Sequence, residues 1–121
     1  MRICLVDDNE IVLDAMALWL SDDGNELVLA RSGAEAQARV QTEAPDLIIT
    51  DLNLPDTTGV YLARELRKLC PGAAIVLISG QADLVAGAVG ADGADAFLMK
   101  PFTPKALTTA MLQAQQSRLA A

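Results

Sequence analysis

Histidine is absent from this chain of 121 residues, and cysteine occurs twice, at Cys4 and Cys70. The lack of histidine excludes catalytic triads with an imidazole base, the usual zinc sites, and a phosphohistidine formed on this chain. Cys4 and Cys70 are far apart in the sequence and have no histidine to complete a metal site. We therefore predict two reduced structural thiols.

Basic and aromatic residues are also scarce. The chain has 9 lysines and arginines against 16 acidic residues, which gives a formal net charge of −7. Because nucleic-acid binding through phosphates needs clustered Lys and Arg, we expect no direct contact with DNA or RNA. Aromatic residues make up 3% of the chain and hydrophobic residues 52%. We therefore predict a core of closely packed Leu, Val, Ile and Ala side chains.

Long hydrophobic runs are missing as well. No apolar run approaches the ~20 residues that a membrane-spanning helix needs, and the N-terminus lacks a basic segment followed by an apolar stretch. We expect a cytoplasmic protein without a membrane partner. With 121 residues the chain can bury one core but cannot add a second module, so we predict one domain over residues 1–121.

Short apolar runs alternate with segments of helical spacing along the whole chain. The runs of strand length lie at 2–6, 26–30, 46–50, 74–78 and 96–99. Five β-α repeats with right-handed crossovers predict an α/β, doubly wound parallel sheet of five strands that is covered on both faces by five helices.

Local signals place the helices between these strands. In segment 9–20 one stripe, which we expect to face the sheet, comprises Ile11, Val12, Ala15, Leu18 and Trp19. A capping box begins the second helix at Ser32, the third begins at Gly59, and Thr103-Pro104 caps the last. The helix predicted over 82–92 contains Gly87 and Gly90, each costing about 1 kcal/mol relative to alanine, so we expect it to be the least stable.

Charged side chains follow several of the predicted strands. Asp7-Asp8 come after the first strand, Asp51 ends the third, and Lys100 follows the fifth. Parallel strands bring their carboxyl ends to one edge of the sheet, so these groups should share a crevice. Like charges ~4 Å apart repel by about 4 kcal/mol at an effective dielectric near 20, and Mg²⁺ is a suitable cation to offset this. Helix capping or simple exposure to water is the alternative for each acid taken alone.

Taken together, these motifs resemble the receiver domain of bacterial two-component response regulators. The motifs are Asp7-Asp8, the run from Asp51 through Asn53 and Pro55 to Gly59, Ser79-Gly80 and Lys100-Pro101-Phe102. They occur in the family's order and cover essentially the whole chain. The resemblance implies a flavodoxin-like sheet with strand order 2-1-3-4-5. It also implies either a single-domain regulator or the receiver part of a longer protein.

The resemblance implies a role for each matching residue. Asp51 would accept a phosphoryl group from a phosphohistidine on a sensor histidine kinase or histidine phosphotransfer protein. Mg²⁺, or Mn²⁺, would be bound by Asp7, Asp8, Asp51 and the backbone carbonyl of Asn53. Lys100 would pair with the phosphoryl oxygens, and a cis peptide would join it to Pro101.

The resemblance also implies how a signal would leave the site. The hydroxyl of Ser79 and the backbone N–H of Gly80 would bond the new phosphoryl group, and the ring of Phe97 would turn into the space that Ser79 vacates. Such a domain is a phosphoacceptor and not a turnover enzyme. A plain core aromatic is the alternative for Phe97.

Three other kinds of protein use related residues or a related fold, and the sequence differs from what each of them requires. A haloacid-dehalogenase-type phosphohydrolase carries Asp-x-Asp after its first strand, whereas this chain has Asp7-Asp8 and no cap insertion. A flavin or nucleotide binder has a first loop rich in Gly, Ser or Thr, and the acidic loop here would repel a phosphate. A phosphorylation-independent scaffold normally lacks one of the site residues, and here all are present.

Overall fold

Five strands form the centre of the protein. The structure is a computed structural model that describes residues 1–80 and 94–120. The strands are β1 (Arg2–Val6), β2 (Glu26–Ala30), β3 (Leu47–Asp51), β4 (Ala74–Ser79) and β5 (Ala96–Met99). They pair in parallel in the order β2-β1-β3-β4-β5. The predicted doubly wound sheet is confirmed, and its order reverses between β1 and β3, where such sheets open a crevice at their carboxyl ends.

Helices cover both faces of this sheet. Those in the described part of the chain are α1 (Glu10–Ser21), α2 (Gly33–Thr42), α3 (Gly59–Leu69) and α4 (Pro104–Ala120). The prediction for segment 82–92, with Gly87 and Gly90, lies outside the described residues. No helix of the described ranges is long and apolar enough to span a membrane.

Polar caps determine where these helices begin. The side chain before each helix accepts a backbone N–H from the first turn, with Asn9 bonded to Ile11, Ser32 to Glu35, Thr58 to Tyr61 and Thr103 to Ala106. These bonds satisfy amides that have no partner inside the helix. The caps predicted at Ser32 and at Thr103-Pro104 are therefore confirmed.

The core lies in two layers on either side of the sheet. Successive residues of β1 point to opposite layers. Cys4 and Val6 pack with α2 and α3, whereas Ile3 and Leu5 pack with α1 and α4. Every residue of β3 and β4 is buried. Strands covered on both faces are apolar throughout, and for this reason their positions could be predicted to within one residue.

The predicted sheet-facing stripe of α1 is right for Val12 and Trp19, which pack partly buried against the core, and wrong for Ile11 and Leu18. Ile11 is 81% exposed and Leu18 is 66% exposed, whereas Leu13, Met16 and Leu20 are the buried residues of the helix. Apolar side chains occur on nearly every side of α1, so helical spacing alone does not select one face. Packing against β1 and β2 makes that choice.

Candidate functional site

Three carboxylates meet at the carboxyl edge of the sheet, beside the crevice. Asp7 follows β1 and is fully buried, and Asp51 ends β3 with 8% of its surface exposed. Asp8 is exposed at the mouth of the site. Each of the three offers an oxygen within 4.8 Å of the others. The predicted convergence is confirmed, and the group has the hard oxygen ligands that suit a divalent cation such as Mg²⁺.

Lys100 reaches the same point from the opposite part of the sheet. Its Nζ lies 3.1 Å from Oδ2 of Asp7 and 3.3 Å from Oδ2 of Asp51. Its backbone N–H donates to the carbonyl of Ser79 at 2.8 Å, which joins the ends of β4 and β5. The Lys100–Pro101 peptide is cis, as the resemblance implies.

The two buried acids are held in the same way. Oδ1 of Asp7 accepts the backbone N–H of Asn9 at 2.9 Å, and Oδ1 of Asp51 accepts that of Asn53 at 3.4 Å. The Oδ2 atoms of both face the ammonium of Lys100. Each carboxylate therefore has one oxygen oriented by its own loop and one oxygen turned to the shared cation.

Burial and charge shift the pKa values of the central pair. Burial raises the pKa of Asp51, the Asp7 carboxylate raises it further, and Lys100 offsets part of this. Burial acts to lower the pKa of Lys100, but its bond to Asp7 and the charges of both acids outweigh it, so the pKa lies above its usual value. The site thus keeps a charged ammonium beside carboxylates that repel one another by about 3 kcal/mol at an effective dielectric near 20.

The other predicted site residues lie around this centre. Ser79 ends β4 and is 1% exposed, and Gly80 follows it at the surface. Asn53 is exposed on the loop after β3, where it bridges to Thr58. Phe97 lies on the edge strand β5 with 41% of its surface exposed, so it is not a core aromatic. All four therefore lie at the carboxyl edge of the sheet or on β5.

Sequence reasoning missed two residues near the site. Asn9 both caps α1 and donates its N–H to Asp7, and its place directly before an apolar helical run was the available signal. Asp56 bonds the backbone of α2 at Gly33 and Ala34, more than twenty positions earlier in the chain. No local pattern predicts a contact of that kind.

The protein is a doubly wound sheet with an acid cluster and a lysine at its switch point, and comparison with known proteins identifies its family. The response regulator receiver domain model matches residues 3–112. The chain belongs to the receiver domains of two-component response regulators. Members of this family act as phosphorylation-dependent signalling switches.

Curated relatives are longer than this chain. The DNA-binding response regulator MtrA of Mycobacterium tuberculosis is 35% identical over 107 residues, which cover 88% of this chain and 46% of MtrA. The alkaline phosphatase synthesis transcriptional regulatory protein PhoP of Bacillus subtilis is 30% identical over 105 residues, covering 86% of this chain and 44% of PhoP. The chain thus spans about half the length of these relatives.

Solved structures agree over nearly the full length. A CheY-like receiver domain protein from Methanospirillum hungatei superposes with a TM-score of 0.89 at 31% identity, covering 98% of this chain and 96% of that one. The chemotaxis response regulator CheY4 of Vibrio cholerae gives a TM-score of 0.86 at 28% identity, covering 93% of this chain and 97% of that one. The fold predicted from the sequence is the fold of these receivers.

Proposed function

We propose that this domain accepts a phosphoryl group on Asp51 from the phosphohistidine of a sensor histidine kinase or histidine phosphotransfer protein. The observation that carries the proposal is the arrangement around Asp51, which shares one ammonium with Asp7 and lies within 4.8 Å of two other carboxylates. A nucleophile of this kind needs nearby positive charge to meet an anionic phosphoryl group.

The transfer step balances with groups that are present in the two proteins. A carboxylate oxygen of Asp51 attacks the phosphorus, the new O–P bond forms as the P–N bond breaks, and the electron pair of that bond stays on the imidazole of the partner. Lys100 pairs with phosphoryl oxygens as they approach. Phosphoryl transfer requires mainly positioning and charge neutralisation, which agrees with the small set of groups at this site. The domain accepts one group and is not a turnover enzyme.

A divalent cation completes this inventory. Asp7, Asp8, Asp51 and the carbonyl of Asn53 would hold Mg²⁺ or Mn²⁺, which when bound neutralises phosphoryl oxygens. The oxygen-rich donor set and the absence of histidine from the sequence favour these hard cations over zinc.

Signal output follows from the groups that surround Asp51. The Ser79 hydroxyl and the Gly80 N–H bond the phosphoryl group, and the half-exposed ring of Phe97 then moves inward. The carbonyl of Ser79 is bonded to Lys100, so a shift of Ser79 is transmitted to the end of β5. The change is a population shift between two packings of one surface.

We propose that the helix carrying the donor histidine binds in an apolar groove beside the acid site. The groove has a volume of about 360 Å³ and lies between Ile11, Ala15 and Trp19 of α1 and the segment that begins at Lys100. Lys100 therefore contacts both the groove and Asp51. A protein that brings its phosphohistidine to Asp51 over this neighbouring surface would bury Ile11, an apolar residue that is 81% exposed.

Phosphorylation by a small donor tests the assignment of Asp51. Incubation with acetyl phosphate and Mg²⁺ should add one phosphoryl group, measured by intact mass. Asp51→Asn should abolish labelling. Asp46 precedes the amino end of β3, far from the site, so Asp46→Asn should still be labelled. Undiminished labelling of Asp51→Asn would contradict the proposal.

The donor groove has its own test. With any sensor kinase that phosphorylates the unaltered domain, Ile11→Glu should slow transfer at least tenfold and leave labelling by acetyl phosphate unchanged. Leu18→Glu places the same charge on an exposed position of α1 outside the groove and should change neither rate. Equal rates for both variants would show that the donor binds elsewhere.

A further inference from the structure

The loop between β3 and α3 is bonded to the start of a different helix. Oδ1 of Asp56 accepts the N–H of Gly33 at 2.8 Å, and Oδ2 accepts that of Ala34 at 2.9 Å. These two amides begin α2 and have no partner inside the helix. A carboxylate at this position also meets the positive end of the helix dipole. The two bonds lower the pKa of Asp56, which keeps it charged.

Close packing accompanies these bonds. A Cβ atom added to Gly33 would overlap Cγ2 of Thr57 and would lie 3.3 Å from Oδ1 of Asp56. The start of α2 therefore packs closely on the Thr57 side chain, which would have to move to admit a Cβ at position 33. Glycine at position 33 permits this close approach, which the α2 cap at Ser32 does not itself need.

The same loop carries Asn53. At its base Leu52 donates its N–H to the carbonyl of Ile78 at 2.8 Å, and within it Leu54 donates to Thr57 at 3.1 Å. Asn53 bridges to Thr58 and donates its N–H to Asp51. The loop is thus closed on itself, and its outer end is attached to α2 through Asp56.

We infer that Asp56 is a positioning residue for the cation site, because its two bonds to α2 hold the loop in which Asn53 donates its N–H to Asp51 and would present its carbonyl to the cation. The inference rests on the proposed function, in which Asn53 is a ligand of Mg²⁺. Asp56 itself touches neither the cation nor the phosphoryl group. Groups that orient metal ligands typically change metal affinity by about 10–100-fold when they are removed.

Two kinds of variant loosen the contact from opposite sides. Asp56→Ala removes both acceptors, and Asp56→Asn keeps the size of the side chain but can accept through one oxygen only. Gly33→Ala pushes the loop away by overlap with Thr57. Thr57→Ser removes the overlapping methyl group, so the double variant Gly33→Ala/Thr57→Ser should recover much of the lost affinity.

The measurement is the Mg²⁺ dissociation constant, from titration of backbone amide shifts in the unphosphorylated protein, with the melting temperature recorded beside it. Asp56→Ala and Gly33→Ala should each weaken Mg²⁺ binding roughly tenfold. Ser32→Ala is the matched control, because it removes the cap of the same helix without touching the loop. It should lower the melting temperature and leave the Mg²⁺ dissociation constant unchanged.

The outcomes separate this inference from the proposed function. Normal Mg²⁺ binding by Asp56→Ala, or an equal loss in Ser32→Ala, overturns the positioning role alone. Failure of Thr57→Ser to improve Mg²⁺ binding in the Gly33→Ala background also overturns it. Absence of Mg²⁺ binding by the unaltered protein, with no shift at Asp7, Asp8 or Asp51, overturns the proposed function and the inference with it.

Discussion

Lys100 and Asp7 lie 93 positions apart in the chain, and their side chains meet at 3.1 Å between Nζ and Oδ2. Asp7 is fully buried, whereas the Lys100 side chain is 25% exposed. The same ammonium bonds Asp51, so one cation balances two acids at the centre of the site. The metal-free protein depends on this lysine for charge compensation, and a divalent cation would add to the same role.

Lys100→Met should destabilise the metal-free protein by about 2–3 kcal/mol, less than for a fully buried pair because Lys100 is partly exposed. Millimolar Mg²⁺ should then raise the melting temperature more in this variant than in the unaltered protein, since the acids have lost their other cation. Thermal unfolding with and without Mg²⁺ measures both effects. Lys105→Met removes an exposed lysine of α4 and should behave like the unaltered protein. A smaller Mg²⁺ effect in Lys100→Met would contradict the prediction.

Mg²⁺ should stabilise the unaltered protein through Asp8. A ligand at ten times its dissociation constant adds about 1.4 kcal/mol to the free energy of unfolding. Asp8→Ala should lose most of this gain, whereas Asp14→Ala, at an exposed position of α1, should keep it. Urea unfolding at fixed Mg²⁺ gives the comparison. A full gain in Asp8→Ala would show that the metal acts at another place.

Asp95 holds a second buried ion cluster, which lies at the amino end of β5. Its carboxylate lies 2.7 Å from Arg67 and 3.3 Å from Arg118, and it accepts the N–H of Ile75 at 2.9 Å. The Asp95 side chain is 7% exposed.

Asp95→Asn should cost about 3 kcal/mol in the free energy of unfolding, because two guanidinium groups would lose their carboxylate. Glu26→Gln breaks the exposed pair with Arg2 and should cost below about 1 kcal/mol. Denaturant unfolding distinguishes these values. Similar losses in the free energy of unfolding for the two variants would mean that the Asp95 cluster stabilises the protein no more than an exposed ion pair does.

The pKa of Asp56 predicts a pH dependence of stability. Bonds from Gly33 and Ala34 lower this pKa below its usual value, so the unfolded state binds its proton at a higher pH than the folded state does. The stabilisation is complete above the unfolded pKa near ~4 and disappears as the pH falls through the folded value. The stability difference between the unaltered protein and Asp56→Asn should therefore be constant near neutrality and shrink in acid. A difference that stays constant in metal-free buffer down to pH ~2 would contradict this assignment.

The sequence alone determined the elements that depend on local or repeating patterns. Strands buried on both faces appear as continuous apolar runs, and Ser32 and Thr103 mark helix starts through bonds within one turn. The acids Asp7 and Asp51 could be placed together because a parallel sheet brings its strand ends to one edge. Lys100 could be added to them by the same reasoning.

Tertiary structure decided which of several equivalent local arrangements exists. α1 is apolar on more than one side, and its packing on the sheet buries Leu13 and Met16 while leaving Ile11 exposed. Asp56 could have faced water, yet the approach of α2 brings the N–H groups of Gly33 and Ala34 to its carboxylate. Sequence patterns record periodicity and capping over a few residues, whereas these choices depend on the free energy of contacts between segments that are distant in the chain.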